Sequence, residues 1–333
     1  MINQNGKIYG LVGRKLGHSY SAKIHAMLGN SAYRLYELEQ EELGGFVRRP
    51  DIGALNVTIP YKIEVMRYLD KISPEAESIG SVNTVVRRDN RLYGFNTDFF
   101  GFDYMARRAG IIMHGKKVLI FGSGGSSQTV RACAKAAGAS EIVVISRSGP
   151  DNYENIDRHK DAQILVNTTP VGMYPEPEGM LIDPGFFPLC EGVIDLIYNP
   201  LRTNFVLRAS QLGIPHTGGL PMLVAQAVRA HELFFGVSVP LGEIERILSE
   251  LGRSVENIVL VGMPGCGKTT TGCTLGKISG REVLDTDAMV EKAAEMSIPE
   301  IFARYGEAEF RDMEKKAVSE ASMRSGAIIV TGG

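Results

Sequence analysis

Apolar and polar positions alternate along the chain in a pattern that predicts strands and helices in turn almost throughout. Short apolar runs of strand length fall at 7–13, 33–38, 53–59, 117–122, 141–147, 164–170 and 192–198. Helical spacing occurs at 21–28, in the stretch after 38, at 61–70, 126–137, 203–212, 221–235 and 241–251. This alternation predicts an α/β fold. An antiparallel hairpin is expected where Asp89-Asn90 joins two apolar segments, because this pair favours tight turns.

The pattern begins again near the end of the chain. Residues 252–256 (GRSVE) form a short polar break, which as a flexible linker spans only about 12 Å. After it, strands are predicted at 257–261, 283–286 and 327–331, with helices from 268 and near 288–295, 299–305 and 308–324. The chain therefore carries two independent units in which a strand, a glycine-rich loop and a helix follow one another, beginning at 117 and 257.

Composition narrows the classes of protein that fit. A length of 333 residues suggests about two domains. The net charge of −2 gives no support for nucleic-acid binding. No signal peptide and no membrane-spanning apolar stretch are recognised. The four cysteines form no C-x-x-C pair, so reduced thiols and a cytoplasmic location are expected. The oligomeric state stays open, with a homodimer as one option.

The first glycine loop, FGSGGSS (121–127), follows an apolar strand and opens a helix. Gly122 permits a tight turn and Gly124 allows the backbone to approach a pyrophosphate, which the helix N-terminus attracts. The cofactor-binding candidates in this loop are Gly122, Ser123, Gly124, Gly125 and Ser126. The next strand ends in Ser146-Arg147-Ser148 rather than an acidic residue, and an arginine can hold a 2′-phosphate. NADP is therefore favoured over NAD.

Polar residues also cluster before residue 100 in a way that a plain fold does not require. They are Ser19 and Ser21 in GHSYS, Asn56, Thr58 and Lys62 in NVTIPYK, Asn83 in SVNT, and Asp98 in NTD. Each alone has an ordinary explanation, such as a helix cap, a turn or a solvated lysine. Together these strings resemble the shikimate dehydrogenase family, and the resemblance continues through NTTPVGM (167–173), IDLIYNP (194–200) and GLPMLVAQA (219–227). It covers residues 1 to about 250.

This resemblance implies reversible hydride transfer between NADPH and 3-dehydroshikimate, giving shikimate, a small-molecule substrate. It assigns Lys62 and Asp98 to catalysis. It assigns substrate binding to Ser19, Ser21, Asn56, Thr58, Asn83, Tyr198 and Gln226. Leu196 and Gly219 fall on cofactor positions. The implied layout is a catalytic substrate domain over 1–103, completed by helices within 220–251, and a Rossmann-like dinucleotide domain over 104–219.

Two departures from the family pattern bear on the cofactor. Asp151 stands near the place where the family commonly has a second basic residue. Only 16 residues separate Arg147 from Ile164, so the connecting helix must be very short or absent. An NAD-preferring quinate/shikimate dehydrogenase therefore also fits the sequence. Ala22 also replaces the proline that the family usually has after the second serine.

The second glycine loop fits the Walker A pattern, in which backbone N–H groups, a lysine and a hydroxyl meet nucleotide phosphates and Mg²⁺. Its ATP-binding candidates are Gly262, Gly265, Cys266, Gly267, Lys268, Thr269 and Thr270. With LDTD, EFRDME and the terminal TGG, this region resembles shikimate kinase. The resemblance implies Mg²⁺ binding by Thr269 and Asp285. It implies shikimate binding by Asp287, Arg311, Gly332 and Gly333.

The resemblance covers about the first 77 residues of the kinase, without its lid, its second substrate arginine and its adenine loop. We therefore expect a partial P-loop sheet over 257–333, in which the strand before the phosphate loop is an exposed apolar edge. We expect no kinase activity from this region as it stands. ATP and Mg²⁺ would serve a complete kinase part only. Either the natural chain continues or this is a truncated piece. Two functions of other classes compete with this one: a phosphotransferase whose N-terminal half only binds substrate, and a non-catalytic nucleotide-binding or assembly module. The missing lid argues against the first, and the presence of Lys62 and Asp98 in their motifs argues against the second.

Overall fold

The computed structural model describes residues 6–17 and 19–332. The chain divides into two compact units, Met1–Leu248 and Ser249–Gly333, and each is described by itself. Within the described ranges, no helix combines the length and apolar character needed to cross a membrane.

The first sheet of the N-terminal unit is mixed and has the strand order β2-β1-β3-β5-β6-β4. Its strands are β1 (Ile8–Gly13), β2 (Arg34–Glu37), β3 (Ile52–Val57), β4 (Lys71–Ile72), β5 (Thr84–Arg88) and β6 (Arg91–Phe95). The predicted hairpin is confirmed, since β5 and β6 pair antiparallel. Asp89 and Asn90 both adopt positive φ, of 47° and 60°, as a tight turn of this kind requires.

The second sheet is parallel, with the order β11-β10-β9-β7-β8. Its strands are β7 (Lys117–Phe121), β8 (Glu141–Ile145), β9 (Ile164–Asn167), β10 (Gly192–Asp195) and β11 (His216–Thr217). The strand order reverses between β7 and β9, and ligands of such sheets bind outside the carboxyl ends of strands at this switch point. The loops after residues 121 and 167, which are register partners, therefore meet at this edge.

Eight helices of the described chain begin in the N-terminal unit, and three more follow. The first eight are α1 (Ser21–Met27), α2 (Gln40–Val47), α3 (Pro74–Ile79), α4 (Asp98–Arg108), α5 (Gly125–Ala136), α6 (Asn204–Gln211), α7 (Leu220–Phe235) and α8 (Leu241–Val255). Buried residues from α4, α5, β7, β9 and α7 form one continuous apolar core.

The C-terminal unit holds a three-stranded parallel sheet with the order β12-β14-β13. Its elements are β12 (Ile258–Leu260), α9 (Lys268–Ser279), β13 (Val283–Asp285), α10 (Thr286–Ala294), α11 (Ile298–Ser322) and β14 (Ile328–Val330). Non-helical backbone at Gly306 breaks α11, as the sequence pattern predicts between its last two helices. The expected exposed edge is confirmed, because the β12 residue Val259 is 51% exposed.

Two expectations are wrong. The helix predicted over 61–70 is only a 3₁₀ turn, Glu64–Tyr68. The Lys62 carbonyl accepts the N–H of distant Val82 at 2.8 Å, and the Tyr61 hydroxyl donates to the Leu38 carbonyl, so tertiary contacts replace helical ones. The polar break at 252–256 is also helical as far as Val255, at the end of α8. By contrast, the connection between β8 and β9 holds only a 3₁₀ turn, as predicted.

Candidate active site

Lys62 and Asp98, the predicted catalytic pair, lie in direct contact. The Lys62 Nζ donates to the Asp98 Oδ2 at 2.7 Å, and their side chains are only 15% and 10% exposed. Asp98 is the first residue of α4, where a carboxylate is favoured by the free N–H groups and the dipole of a helix N-terminus. Two residues that are 36 positions apart in sequence thus present one ammonium and one carboxylate to the same cavity.

That cavity has a volume of about 830 Å³, within the size range of small-molecule sites. The predicted residues that line it are Ser19, Ser21, Asn56, Thr58, Lys62, Asn83, Asp98, Ser126, Leu196, Tyr198, Gly219 and Gln226. Lys15 and Tyr174 also line it, and the sequence analysis missed both. Tyr20, likewise missed, packs against Tyr198 with ring centroids 5.6 Å apart. The structure therefore gathers the substrate residues and part of the cofactor set around one space.

The two serines form a small polar corner at the start of α1. The Ser19 Oγ accepts the backbone N–H of Ser21 at 3.2 Å and donates to the Ser21 Oγ at 3.1 Å. Ser21 is the first residue of the helix, and its N-cap, Tyr20, makes no side-chain capping hydrogen bond. Hydroxyls side by side at a helix N-terminus suit a carboxylate ligand.

Asn83 is held in one orientation by the residues around it. Its Oδ1 accepts from the Thr97 N–H at 2.7 Å and from the hydroxyls of Thr97 and Thr84. Its Nδ2 donates to the Thr97 Oγ1 at 3.1 Å, which uses one of its two hydrogens. No hydrogen bond from the other N–H is found among the described residues, so it can donate to a ligand. The Thr97 hydroxyl also lies 3.5 Å from the Gln226 Oε1, which brings α7 to the same cluster.

The first glycine loop is shaped for a phosphate ligand. Gly122 adopts a φ of +107°, and a Cβ there would lie 2.7 Å from the Thr168 Oγ1. Gly124 directly precedes α5 and its side-chain position is open space, while no described side chain caps this helix. The first-turn N–H groups are therefore free for an anion.

Two other cofactor candidates make an unusually close approach. A Cβ on Gly219 would lie 2.1 Å from the Leu196 carbonyl oxygen, so only glycine fits here. Leu196 follows β10 and Gly219 precedes α7, and both line the cavity. Backbone contact thus brings these two cofactor candidates to one site.

Ser146, Arg147 and Ser148 follow β8 and do not line the 830 Å³ cavity. Arg147 is exposed. Burial raises the pKa of Tyr153, and the positive charge of nearby Arg147 opposes this shift. Asp151, which stands where a second basic residue is usual, is bonded elsewhere: its Oδ1 lies 3.0 Å from the His159 Nε2. The Asp151 side chain is thus engaged by His159, eight positions later in the chain.

Asp195 is a buried carboxylate that the sequence analysis missed. It accepts from the Thr203 hydroxyl at 2.6 Å, from the Asn167 Nδ2 at 3.0 Å and from the N–H of Ile197 at 3.0 Å. Burial raises the pKa of Asp195 to about 6, although these hydrogen bonds oppose the shift. Asp195 thereby ties together the loops that follow β9 and β10, and both loops line the cavity.

The second unit has its own cavity of about 580 Å³ beside the second glycine loop. Gly265 and Gly267 adopt positive φ of 74° and 87°, which opens the loop as the Walker A pattern predicts. The Lys268 Nζ donates to the carbonyls of Gly262 and Met263 at 2.7 and 3.0 Å. Among the other candidates, Thr270 lines this cavity, and the side chain of Cys266 is exposed.

The two Mg²⁺ candidates meet, since the Thr269 Oγ1 donates to the Asp285 Oδ2 at 3.0 Å. Arg311 is paired with Glu314 at 2.8 Å, a partner that the sequence analysis did not name. Burial raises the pKa of Asp287, and the nearby charges of Asp285 and Glu314 add to the effect.

The last two candidates of the kinase-like region are adjacent glycines. A Cβ on Gly332 would lie 2.4 Å from the Asp287 Oδ1. Gly332 therefore packs directly against Asp287, which lines the cavity. Gly333 lies outside the described residues.

Comparison with known proteins agrees with both regions. The sequence profile of the shikimate dehydrogenase substrate binding domain matches residues 11–85, and that of shikimate kinase matches residues 264–333. The chain is 38% identical over 248 residues to a shikimate dehydrogenase (NADP(+)) of Clostridium beijerinckii, across 68% of this chain and 92% of that protein.

Solved structures agree with this relationship. Shikimate dehydrogenase 1 from Peptoclostridium difficile matches with a TM-score of 0.68 and 36% identity, over 74% of this chain and 97% of that one. A shikimate 5-dehydrogenase from Thermus thermophilus, solved with NADP(H) and shikimate, matches with a TM-score of 0.66 and 30% identity, over 73% and 99%. The chain therefore belongs to the shikimate dehydrogenase family.

Proposed function

We propose that the N-terminal unit catalyses the reversible NADPH-dependent reduction of 3-dehydroshikimate to shikimate. The observation that carries this assignment is the Lys62–Asp98 pair, 2.7 Å apart and facing a cavity whose other polar groups suit a small hydroxylated acid. The relatives named shikimate dehydrogenase (NADP(+)) support the same substrate and cofactor.

The proposed roles follow from charge and hydrogen-bonding capacity. Ser19 and Ser21 bind the carboxylate, and Tyr198 lines the same cavity beside Tyr20. The free N–H of Asn83 donates to a ring hydroxyl. Thr58 and Gln226 complete the set of cavity-lining residues that contact the hydroxyls.

The chemical step needs a proton at one oxygen. As the ketone is reduced, negative charge builds on its oxygen, and the Lys62 ammonium donates a proton to it. Asp98 orients the ammonium and accepts from the reacting hydroxyl. A positioned acid of this kind contributes about 10²–10⁴-fold to the rate. NADPH, when bound, supplies the hydride.

The residues present fit a dinucleotide. The free first-turn N–H groups of α5 and the open space at Gly124 suit the pyrophosphate, and Ser123, Gly125 and Ser126 complete this loop. Arg147, flanked by Ser146 and Ser148, is the proposed contact to the 2′-phosphate. Leu196 and Gly219 hold the nicotinamide side, because their backbones define that wall of the cavity.

A cofactor and substrate matrix tests this proposal. Initial rates of oxidation are measured for shikimate and quinate, each with NADP⁺ and NAD⁺. The proposal predicts the highest kcat/KM for shikimate with NADP⁺. Higher kcat/KM with NAD⁺, or equal use of quinate, would instead favour the NAD-preferring quinate/shikimate dehydrogenase.

For the C-terminal unit we propose a shikimate-kinase-like nucleotide site. Lys268 and the loop amides would contact phosphates, Thr269 and Asp285 would hold Mg²⁺, and Asp287, Arg311, Gly332 and Gly333 would contact shikimate. The profile match to shikimate kinase supports this interpretation. Nucleotide binding is tested by titrating the chain with ATP and Mg²⁺, with Lys268→Ala as the variant expected to bind less.

The proposed domain limits remain those expected from the sequence. The substrate-binding domain spans 1–103 and is completed by 220–251, the dinucleotide-binding domain spans 104–219, and the kinase-like domain spans 257–333. We further propose a cytoplasmic enzyme that acts on small molecules, without a nucleic-acid or membrane partner; a homodimer stays open.

A further inference from the structure

A buried histidine and a buried tyrosine, which the proposed chemistry does not use, hold a residue of the cavity wall. His25 on α1 is 0% exposed and Tyr33, just before β2, is 2% exposed. Their rings stack with centroids 4.0 Å apart and an interplanar angle of 7°. Both contact the side-chain oxygen of Asn56, which lines the cavity from β3.

The direction of each hydrogen bond around Asn56 can be deduced. The Asn56 amide has the Asn83 backbone carbonyl on one side, 3.4 Å away, and a carbonyl only accepts. The Asn56 Nδ2 must therefore face it, and its other hydrogen goes to the Thr84 Oγ1 at 3.2 Å. The Oδ1 then faces the other side, where it accepts from the Tyr33 hydroxyl at 2.8 Å and the His25 Nε2 at 3.2 Å.

This arrangement determines the state of His25. Its Nε2 carries the proton, and its Nδ1 has no partner among the described residues. The rings of Tyr33, Phe234 and His231 surround it, with centroids 4.0, 5.6 and 6.1 Å away. Burial lowers the pKa of His25 to about 3, with a smaller contribution from His231, so the imidazole is neutral near neutral pH.

All four hydrogen-bonding positions of Asn56 are thus occupied within the protein. Asn56 stands directly opposite Thr84 in the β3–β5 register. The Thr84 Oγ1 donates to the Asn83 Oδ1 at 3.0 Å. The Asn83 Oδ1 also accepts the Thr97 N–H at 2.7 Å. A continuous chain of hydrogen bonds therefore runs from the buried rings to Asn83 and to Thr97, the residue before Asp98.

We propose that His25 and Tyr33 are positioning residues for substrate binding, which fix the Asn56 amide and, through Thr84, the side chain of Asn83. Asn56 then acts as a support within the wall, rather than as the direct ligand that the family resemblance implies. This inference rests on the proposed dehydrogenase function. It predicts that loosening the support weakens shikimate binding while the hydride step and the cofactor loop are unchanged.

Tyr33→Phe is the main test, because it removes one hydroxyl and keeps the stacked ring. The loss of one hydrogen bond predicts a rise of about 2- to 10-fold in KM for shikimate. We expect kcat to stay within about twofold and KM for NADP⁺ to be unchanged, because the chemical groups keep their places. Tyr104→Phe is the matched control, since Tyr104 also donates its hydroxyl to a side chain, that of Glu245, outside the cavity wall.

Further variants separate positioning from general stability. Tyr33→Phe should cause no additional rise in KM when Asn56 is already Ala, because the support is then absent. His25→Gln keeps an N–H donor and should retain more affinity for shikimate than His25→Leu.

An unchanged KM for shikimate in Tyr33→Phe, or an equal further rise in the Asn56→Ala background, would overturn the inference. A fall in Tm with normal KM would leave only a structural role and would also overturn it. Absence of turnover in the wild-type protein would instead overturn the proposed function, and this inference with it.

Discussion

Lys62→Ala tests the chemical core of the site. In the folded protein the Lys62 Nζ is 2.7 Å from the Asp98 Oδ2, and both side chains are largely buried. Removing the ammonium takes away the proposed proton donor and leaves the Asp98 carboxylate without its partner. A positioned general acid is worth about 10²–10⁴-fold, or about 2.7–5.4 kcal/mol of the activation barrier.

The assay is the steady-state oxidation of shikimate with NADP⁺, followed through NADPH absorbance. We expect kcat for Lys62→Ala to fall by the factor above while KM for NADP⁺ changes little, since Lys62 is assigned to the chemical step and not to cofactor binding. A loss in kcat and kcat/KM together marks an interaction made in the transition state. Asp98→Asn should lower kcat as well, and the double variant should lose less than the product of the two single effects.

Lys71→Ala provides the control, because this exposed lysine of β4 lies over the Tyr93 ring and outside the cavity wall. It should retain wild-type kcat. A Lys62→Ala enzyme with kcat within about twofold of wild type would refute the assignment of Lys62 as proton donor, given the size expected of such a group.

The remaining predictions concern the cofactor, stability and the second unit. Arg147→Ala should weaken NADP⁺ about 10–150-fold more than NAD⁺, as expected for a lost charge-assisted bond; equal weakening in a cofactor titration would exclude a 2′-phosphate contact. The pKa of His25 is lowered to about 3 in the folded protein, against an ordinary value of about 6.5. Between these two pH values only the unfolded state protonates this histidine, so the free energy of unfolding falls as the pH is lowered. Two pH units below the ordinary value, the free energy of unfolding is lower by about 2.7 kcal/mol because of this group. In urea unfolding, His25→Leu should lack this pH-dependent loss. The 333-residue chain should not phosphorylate shikimate with ATP and Mg²⁺, because Lys268 and Arg311 are the cations lining its described cavity and Arg311 is paired with Glu314. Phosphate transfer that Lys268→Ala abolishes would contradict this.

Local chemistry made much of the architecture predictable. The turn at Asp89-Asn90 and both glycine loops follow from residues that tolerate positive φ, which most other residues do not. The structure has them where the pattern predicts. The 3₁₀ turn at Glu64–Tyr68 was not predictable in this way. It depends on a hydrogen bond from Val82 to the Lys62 carbonyl, and no local pattern encodes that contact.

The same distinction holds for the site. Lys62 and Asp98 could be identified from the sequence because their motifs are distinctive. The distance between their side chains could not be predicted from the sequence. The support at Asn56 depends on His25, 31 positions earlier, and on Thr84, 28 positions later. Such residues look like ordinary core and strand positions in sequence, and only the folded chain shows which amide they hold.

Transfer of deuterium from shikimate to the cofactor would report hydride transfer itself. Shikimate carrying deuterium on the carbon that becomes the ketone is incubated with NADP⁺ and the purified chain, without ATP or Mg²⁺. We expect deuterium to appear in the NADPH formed, one atom per turnover, and 3-dehydroshikimate to accumulate in equal amount. NADPH without deuterium, or no NADPH from a folded sample, would contradict the proposed dehydrogenase function.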